Sequence, residues 1–494
     1  MYALGFDIGS SSVKVSILNL DSGNLEASAF SPKTEMPITA VKPGWAEQDP
    51  GMWWENLKSA TAEVLSISHI KREQIIAMGI SYQMHGLVLI DKQKHVLRPS
   101  IIWCDSRAVE IGQKAFSAIG SEKCLSSLLN SPGNFTASKL RWVKENEPKI
   151  FEKVDKFMLP GDYIALRLTG ESSTTLSGLS EGILLDFKTN SIATLLLEHY
   201  GISSDLVPTI VPTFGDQGKL CRIASQELGL PEGIPVTYRA GDQPNNALSL
   251  NVMEPGEIAA TAGTSGVVYG VSGTLKYDPP SRVNSFAHVN HTPQTTRIGI
   301  LLCINGTGCS NSWIRRMTGQ QSVDYAHLNE IASQAPVGSS GIICLPFGNG
   351  AERMLENHDI GAHLHNLQFN IHSQAHLLRA VQEGVACAFN YGIEIMHTMD
   401  MKPTVIRAGL ANLFLSPIFC ETLAQVAGIT IELYNTDGAQ GAARGAAFGI
   451  QHYSNRTEMF KGLERIKVIE PQKSRSKEYQ EIYASWSSAL KRYS

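Results

Sequence analysis

The chain opens with an apolar segment, and a short polar turn separates it from a second segment in which apolar and polar positions alternate. Residues 2–8 are the apolar segment, which reads as a strand and holds one carboxylate, Asp7, between apolar neighbours. In residues 13–18, apolar and polar side chains alternate as they do in a half-buried strand. The pattern predicts a β-hairpin whose turn offers hydroxyls and successive backbone N–H groups to an anion such as phosphate, although a solvated hairpin turn fits it equally well. The turn consists of Gly9, Ser10, Ser11 and Ser12.

A second turn of the same type lies about half the chain length further on, again between apolar segments. Two such turns, one in each half, predict two related lobes that hold a polyphosphate. The boundary is expected between residues 247 and 248, which gives an N-terminal lobe of residues 1–247 and a C-terminal lobe of residues 248–494. The second turn consists of Gly263, Thr264, Ser265 and Gly266.

The hydrophobic pattern after the first hairpin predicts an antiparallel meander followed by a helix. Residues 25–30 read as a third strand, so a dinucleotide-binding βαβ unit does not open the chain. Asp49 and Pro50 form a helix-entry signal, and apolar residues at helical spacing follow them. We therefore expect this helix to pack on the sheet.

Polar loops between the next apolar strands carry candidate substrate contacts. The loop at residues 82–86 contains Met84 and His85, a mixture of apolar and polar groups that suits a sugar. A connecting turn with a solvated histidine is the alternative. Trp103 and Asp105 stand at the end of a further apolar strand, where side chains often line a ligand crevice.

A carboxylate at a strand-to-helix corner is the candidate general base. Asp242 follows the apolar strand 236–240 and precedes a helical run, which is the placement of a catalytic base and also that of an Asp N-cap. Near the end of the chain, residues 438–449 space glycines three or four apart, and this pattern predicts close helix packing.

Composition narrows the class of partner. With 494 residues, 43% of them hydrophobic, the chain is long enough for two or three cores. A net charge of −4 argues against nucleic acid or an anionic membrane as partner, so small molecules are expected. Eight cysteines without a Cys-x-x-Cys pair indicate reduced thiols, and no apolar run is long enough for a membrane helix. A soluble, cytoplasmic protein is expected.

Together these segments resemble the FGGY family of carbohydrate kinases within the actin-like ATPase superfamily. The resemblance runs along nearly the whole chain and is most specific at residues 83–88, 132–139 and 159–163. It implies an α/β fold of two actin-like ATPase (ribonuclease H-like) lobes, each a mixed sheet flanked by helices, with the active-site cleft between them. The N-terminal lobe would bind sugar and phosphate, and the C-terminal lobe would bind the nucleotide.

The resemblance also implies a role for each candidate residue. Asp242 would be the general base, and Asp7 would lie beside Mg²⁺ and the transferring phosphoryl group. The two glycine-hydroxyl turns would hold the β- and γ-phosphates of ATP, while Gly409 and Asn412 would contact adenosine. The sugar would be bound by Met84, His85, Trp103, Asp105 and Gln243.

The expected reaction is the ATP-dependent phosphorylation of D-xylulose at O5, and a homodimer is an assembly compatible with the family. Gln243 departs from the Asp-Asn pair usual in family members that act on this sugar, so L-ribulose or glycerol is the alternative substrate. A non-catalytic nucleotide switch, similar to the heat-shock chaperone ATPases, is the alternative from another class.

Overall fold

The computed structural model describes residues 1–493 and contains both helices and strands. The strands, in chain order, are β1 (Tyr2–Ile8), β2 (Val13–Asn19), β3 (Leu25–Ser31), β4 (Glu47–Gln48), β5 (Ile75–Tyr82), β6 (Val88–Ile90), β7 (Ser100–Ile101), β8 (Lys156–Met158), β9 (Ser173–Thr175), β10 (Leu185–Asp186), β11 (Ser191–Ile192), β12 (Thr209–Val211), β13 (Val236–Gly241), β14 (Glu257–Ala262), β15 (Gly266–Ser272), β16 (Asn284–Ala287), β17 (Ile298–Ile304), β18 (Ile343–Phe347), β19 (Gly361–His365), β20 (Val405–Gly409), β21 (Thr430–Tyr434) and β22 (Arg465–Ile469).

Helices connect and cover these strands. In chain order they are α1 (Pro50–Ile67), α2 (Val109–Ile119), α3 (Ser121–Leu128), α4 (Thr136–Asn146), α5 (Pro148–Phe151), α6 (Pro160–Thr169), α7 (Leu176–Glu181), α8 (Thr194–Tyr200), α9 (Arg222–Leu228), α10 (Asp242–Ser249), α11 (Gly308–Met317), α12 (Tyr325–Ser333), α13 (Gln374–His397), α14 (Pro417–Ala427), α15 (Gly438–Gly449), α16 (Arg456–Met459) and α17 (Ser476–Leu490). Within residues 1–493, none of these helices combines the length and the apolar character needed to span a bilayer.

The chain divides into two compact units, and each unit is built from several segments. Unit 1 comprises Met1–Asn251, Phe286–Ile298 and Thr436–Leu463. Unit 2 comprises Val252–Ser285, Gly299–Asn435 and Glu464–Ser494. The first boundary lies close to the expected one at 247/248, whereas the return of two later segments to unit 1 was not expected from the sequence.

Unit 1 is built on a mixed sheet with the strand order β13-β5-β1-β2-β3. Strands β1, β2 and β3 form the predicted antiparallel meander, and β5 and β13 add to it in parallel. The carboxyl ends of β1, β5 and β13 therefore meet at one edge of the sheet. The segments that follow Ile8, Tyr82 and Gly241 therefore begin at that edge.

Unit 2 repeats this topology in its own sheet. Strands β14 and β15 form an antiparallel hairpin, β20 pairs in parallel with β14, and β21 pairs in parallel with β20. Its strand order includes the run β17-β15-β14-β20-β21-β22. The shared topology is what two related lobes predict, and the two glycine-hydroxyl turns occupy the same place in it, between the first two strands of each meander.

Helix α1 begins and packs as the sequence predicts. The Asp49 side chain accepts a hydrogen bond from Gly51 N at 2.9 Å, with Pro50 as the first helical residue. The face carrying Trp53 and Leu57 is fully buried in the core of unit 1. An Asp N-cap of this kind stabilises a helix by about 0.5–2 kcal/mol.

Helix α15 lies unusually close to the sheet of unit 1, because glycines in both elements remove side chains from the contact. A Cβ placed on Gly5 in β1 would stand 1.9 Å from Ala439 O, and one on Gly79 in β5 would stand 2.1 Å from Ala442 O. A Cβ on Gly445 in the helix itself would stand 2.5 Å from the Tyr238 ring. The predicted packing role of the glycine-rich segment is therefore confirmed.

The close approach of α15 predicts a large effect of a side chain at Gly5. Gly5→Val should lower the free energy of unfolding by about 2–3 kcal/mol, because the helix backbone must move to make room. In a thermal melt this corresponds to a fall in Tm of about 4–12 °C. Gly409→Ala is the matched control, since a Cβ there would meet no atom within 4 Å. An unchanged Tm for Gly5→Val would contradict the packing described.

Candidate active site

Asp7 lies at the carboxyl end of β1 and is held by the neighbouring parallel strand. It pairs in register with Ser81 of β5, whose Oγ donates a hydrogen bond to Asp7 Oδ1 at 2.7 Å. Burial raises the pKa of Asp7, and the negative charge of Asp437 adds to this shift, while Ser81 and Lys14 oppose it. The carboxylate is only partly covered, so it can still meet a ligand.

The first residues of α15 lie next to Asp7. Asp437 caps this helix by accepting a hydrogen bond from Gln440 N at 2.9 Å, and its other oxygen lies 3.3 Å from Lys14 Nζ. A Cβ on Gly438 would stand 2.3 Å from Asp7 Oδ2, so only glycine leaves this carboxylate its position. Asp437 was missed by sequence reasoning, although an Asp-Gly pair that opens a glycine-rich helix was a usable signal.

Asp242 is the first residue of α10 and directly follows β13. The N-cap of α10 is Gly241, so the alternative interpretation of Asp242 as an N-cap is wrong. Burial and, to a smaller extent, the negative charge of Asp7 raise the pKa of Asp242 to about 7, against the opposing effect of hydrogen bonds from Gln243. A carboxyl group with a pKa near neutrality can both accept and release a proton at physiological pH.

Met84 and His85 lie in the loop that follows β5, at the same edge of the sheet. Met84 is 4% exposed and packs against Gly241, the residue before the candidate base. His85 has a backbone φ of 61°, and its Nδ1 lies 2.9 Å from the carbonyl oxygen of Glu181. Because a carbonyl only accepts, Nδ1 carries the proton in the neutral ring, and Nε2 is then the acceptor.

The His85 ring is packed, which excludes the solvated connecting turn. Its centroid lies 4.7 Å from that of Phe135 and 5.3 Å from that of Phe286. Phe286 belongs to the segment 286–298, which returns to unit 1 from the second half of the chain. No local pattern in the sequence connects these positions.

Trp103 and Asp105, predicted together, have different surroundings. Trp103 is 54% exposed, and its indole N–H donates to Ser10 Oγ at 3.3 Å, so it lies beside the first glycine-hydroxyl turn. Asp105 is 1% exposed and accepts hydrogen bonds from Ala46 N and from Arg107. Arg107 in turn lies over the Trp45 ring at 3.8 Å. These contacts favour a supporting role for Asp105 over the predicted direct contact with a sugar.

The first glycine-hydroxyl turn is held by its own backbone and by a glutamine. Gly9 N donates to Ser12 O at 3.0 Å, which closes the hairpin between β1 and β2. Gln48 Nε2 donates to Ser10 O at 2.6 Å. Ser11 is exposed and the rest of the turn is partly exposed, so its hydroxyls and N–H groups are accessible to a phosphate.

Glu181 is a buried carboxyl that sequence reasoning missed. It is 1% exposed, and a Cβ on Gly241 would stand 2.4 Å from its Oε2. Burial raises its pKa, and the charge of Asp242 adds to the effect. Glu181 lies in a stretch whose pattern indicated helices but no chemistry.

In unit 2 the structure brings three of the predicted nucleotide positions to one sheet edge. The turn Gly263–Gly266 follows β14, and Gly409 ends the neighbouring parallel strand β20. A Cβ on Gly263 would stand 3.5 Å from Asn412 Nδ2. Thr264 and Ser265 are exposed. The peptide N–H of Gly308 donates a hydrogen bond to Gly263 O at 2.9 Å, which helps to fix the turn.

The fold and these carboxylates define a phosphotransferase of the actin-like type, and comparisons with known proteins agree. The model of the FGGY family of carbohydrate kinases, N-terminal domain, matches residues 2–249. The chain belongs to the FGGY family of carbohydrate kinases, and it is therefore a sugar kinase that uses ATP. This membership disfavours the non-catalytic nucleotide switch.

Relatives match along the whole chain. The xylulose kinase of Klebsiella pneumoniae is 31% identical over 99% of this chain and 99% of its own length. The xylulose kinase of Escherichia coli K12 is 31% identical over 90% of this chain and 88% of its own length. A crystal structure described as a "xyloylose kinase" from Brucella ovis superposes with a TM-score of 0.89 at 26% identity, covering 100% of this chain and 99% of that one. The predicted fold class of two actin-like lobes with mixed sheets is confirmed.

The raised pKa of Asp242 predicts how a neutral substitution changes stability with pH. In the unfolded chain this carboxyl ionises near its ordinary pKa of 3.8, whereas in the folded protein it does so at about 7. The folded protein is therefore destabilised as pH rises from about 4 to 7, and the cost is complete above about 7. Asp242→Asn should raise Tm at about pH 8 and have little effect at about pH 4.

Asp91 offers a control of the opposite sign. Backbone N–H groups of His95 and Gln93 lower its pKa, so its ionised form stabilises the folded protein above its ordinary pKa. Asp91→Asn should therefore not raise Tm at about pH 8. Differential scanning calorimetry across pH makes the comparison, and a pH-independent Tm difference for Asp242→Asn would contradict the assigned pKa.

Proposed function

We propose that this kinase transfers the γ-phosphoryl group of ATP to O5 of D-xylulose, with Asp242 as general base. The observation that carries the proposal is a carboxyl with a pKa of about 7 at the end of β13, next to the loop of Met84 and His85. The choice of sugar rests on the relatives, which are named xylulose kinases and match over nearly the full chain.

The proposed reaction needs one proton transfer and one phosphoryl transfer. Asp242 takes the proton from the O5 hydroxyl as the oxygen attacks the γ-phosphorus of ATP. The bond between the γ-phosphorus and the bridging oxygen breaks, and ADP leaves with the electron pair. A base with a pKa near 7 suits this step, because a substantial fraction of it is ionised at physiological pH and it is basic enough to accept the proton.

The two glycine-hydroxyl turns are proposed to hold the β- and γ-phosphates. Each one offers accessible hydroxyls and backbone N–H groups, which are the donors that stabilise charge on the equatorial oxygens of a transferring phosphoryl group. Gly409 and Asn412 are proposed to contact adenosine, because they lie at the same sheet edge as the second turn. The assignment of sugar to residues 1–247 and of nucleotide to residues 248–494 belongs to this proposal.

Asp7 is proposed to hold Mg²⁺. Its donors fit the ion, because Mg²⁺ prefers carboxylate oxygen, keeps several waters and uses few protein ligands. Within residues 1–493, no group of three or more His, Cys, Asp and Glu side chains forms a complete metal cage, which agrees with an ion shared with substrate phosphates. When bound, the ion would neutralise charge on the phosphates. The negative charge of Asp437 would add to the attraction.

The sugar is proposed to contact Met84, His85, Trp103 and Gln243. Met84 supplies an apolar surface, the His85 ring a hydrogen-bonding nitrogen, and the exposed indole of Trp103 a face for C–H groups. Gln243 already donates to Asp242, so a sugar bound there would lie within reach of the base. The buried Asp105 would not contact the sugar and would stabilise this surface through its hydrogen bonds with Arg107.

A panel of sugars tests the substrate. With ATP as phosphoryl donor, D-xylulose should give the highest kcat/KM among D-xylulose, L-ribulose, L-xylulose and glycerol. Steady-state rates of ADP release, with phosphorus NMR of the product to locate the phosphate, measure this. If glycerol or L-ribulose has the higher kcat/KM, the choice of sugar is wrong, and substitution of Gln243 is the next test.

The base is tested by substitution and by pH. Asp242→Ala should lower kcat for the sugar by about 10²–10⁴-fold while ATP still binds. In the wild type, log kcat/KM should fall with decreasing pH below about 7, because the carboxylate becomes protonated. A kcat for Asp242→Ala within about threefold of wild type, a barrier change of roughly 0.65 kcal/mol, would refute the role.

A further inference from the structure

Lys139 is a lysine buried completely inside unit 1. It lies in the first turn of α4 and is 0% exposed. An ammonium group loses favourable hydration when it is buried, so such a residue is kept only where it makes compensating bonds. Burial lowers the pKa of Lys139 to about 7, and the negative charge of Asp105 opposes this shift.

The compensating bonds reach two separate segments of the predicted sugar site. Lys139 Nζ donates to His85 O at 2.9 Å and to Ile102 O at 2.9 Å. The first carbonyl belongs to the loop that carries Met84 and His85. The second belongs to the residue directly before Trp103. One ammonium group therefore joins the main chains of two segments that approach each other only through the fold.

A second residue of the same helical turn binds the next peptide group of the loop. Thr136 Oγ1 donates to Gly86 O at 3.3 Å, and Thr136 is also fully buried. His85 has a φ of 61°, a backbone conformation that a residue with a side chain adopts only when its surroundings hold it there. The start of α4 binds the carbonyls of two successive peptide groups here, His85–Gly86 and Gly86–Leu87.

We propose that Lys139 is a positioning residue for the sugar, which fixes the His85 loop and the Trp103 segment at the separation that the substrate requires. The inference rests on the proposed sugar contacts of His85 and Trp103. Lys139 cannot touch the sugar, since it has no exposed surface. Its effect must pass through the two carbonyls, and it should therefore appear in sugar binding and not in nucleotide binding.

The chemistry of Lys139, more than its volume, carries this role. Methionine fills a similar space but donates no hydrogen bond, so Lys139→Met would lose the bonds to both carbonyls. Without this link between the two segments, we expect the His85 ring and the Trp103 indole to shift relative to each other. Packing of His85 against Phe135 and Phe286 would have to change with it.

Steady-state kinetics on five variants of the full-length enzyme test the proposal. Lys139→Met should raise KM for the sugar by about 10- to 100-fold, while KM for ATP and kcat at saturating sugar change by less than about threefold. Lys149→Met is the matched control for loss of a lysine charge, because Lys149 is exposed just beyond the same helix. It should behave as wild type.

A pair of milder variants keeps the test valid if Lys139→Met fails to fold. Thr136→Val removes the hydroxyl that binds Gly86 O and should raise KM for the sugar by about 2- to 10-fold, with KM for ATP unchanged. Thr136→Ser keeps the hydroxyl and should restore wild-type kinetics. His85→Ala, which removes a proposed contact itself, should show the same selective loss as Lys139→Met.

The results that overturn the proposal are separate from those that overturn the function. If KM for the sugar and KM for ATP rise equally in Lys139→Met or in Thr136→Val, the start of α4 stabilises the fold in general and has no specific role in sugar binding. Wild-type sugar KM in folded Lys139→Met, judged by its circular dichroism and Tm, would remove the role altogether. Failure of the wild type to phosphorylate any sugar of the panel would instead refute the proposed function.

Discussion

The close approach of helix α15 to the sheet of unit 1 is the constraint on which the candidate site depends. Bare glycine backbone at Gly5 and Gly79 lets the helix lie against strands β1 and β5 without intervening side chains. The helix start then falls at the carboxyl end of β1, where Gly438 touches Asp7. A wider spacing between helix and sheet would move Asp437 away from Asp7 and would change the charge that surrounds it.

The site concentrates acidic groups in a small volume, and this has an energetic cost. Burial raises the pKa values of Asp7, Asp242 and Glu181, and the charges of neighbouring carboxylates raise them further. The repulsion would be relieved by any cation, including a metal ion, that binds beside Asp7. Perturbed carboxyl groups of this kind are more common at functional sites than elsewhere, because catalysis needs protonation states that folding alone would not select.

Features encoded by neighbouring residues could be predicted from the sequence, and features made by distant segments could not. The two hairpin turns, the capped helix α1, the strand end at Asp242 and the glycine-rich helix each have a local pattern. Glu181 and Phe286 reach the site from segments far away in the chain, and no period or spacing indicates them. Asp437 also comes from a distant segment: the Asp-Gly pair indicates the start of a helix, but not that this start lies beside Asp7. The position of Asp105 at a strand end suggested a ligand contact, and the sequence did not indicate that its carboxylate pairs with Arg107.

The repeated topology of the two sheets explains why the sequence contains two similar hairpin turns, from which two related lobes could be predicted. Each unit begins with a hairpin whose turn has the same residue types, and parallel strands extend each hairpin in the same way. The proposed sugar loop was harder to predict, because its shape depends on main-chain geometry. His85 takes a left-handed conformation that its own residue type does not favour, and helix α4 holds it from a separate part of the chain.

The discontinuity of unit 1 bears on how the chain matures during synthesis. Its central sheet is complete once residue 241 has emerged from the ribosome, but the helix that covers strands β1 and β5 is encoded by residues 438–449. Until then the nascent chain carries an uncovered apolar sheet face, a feature that promotes aggregation. Residue 449 would have to be translated before the acidic site is assembled, so chains terminated earlier would be exposed to chaperones and proteases and would lack the complete site.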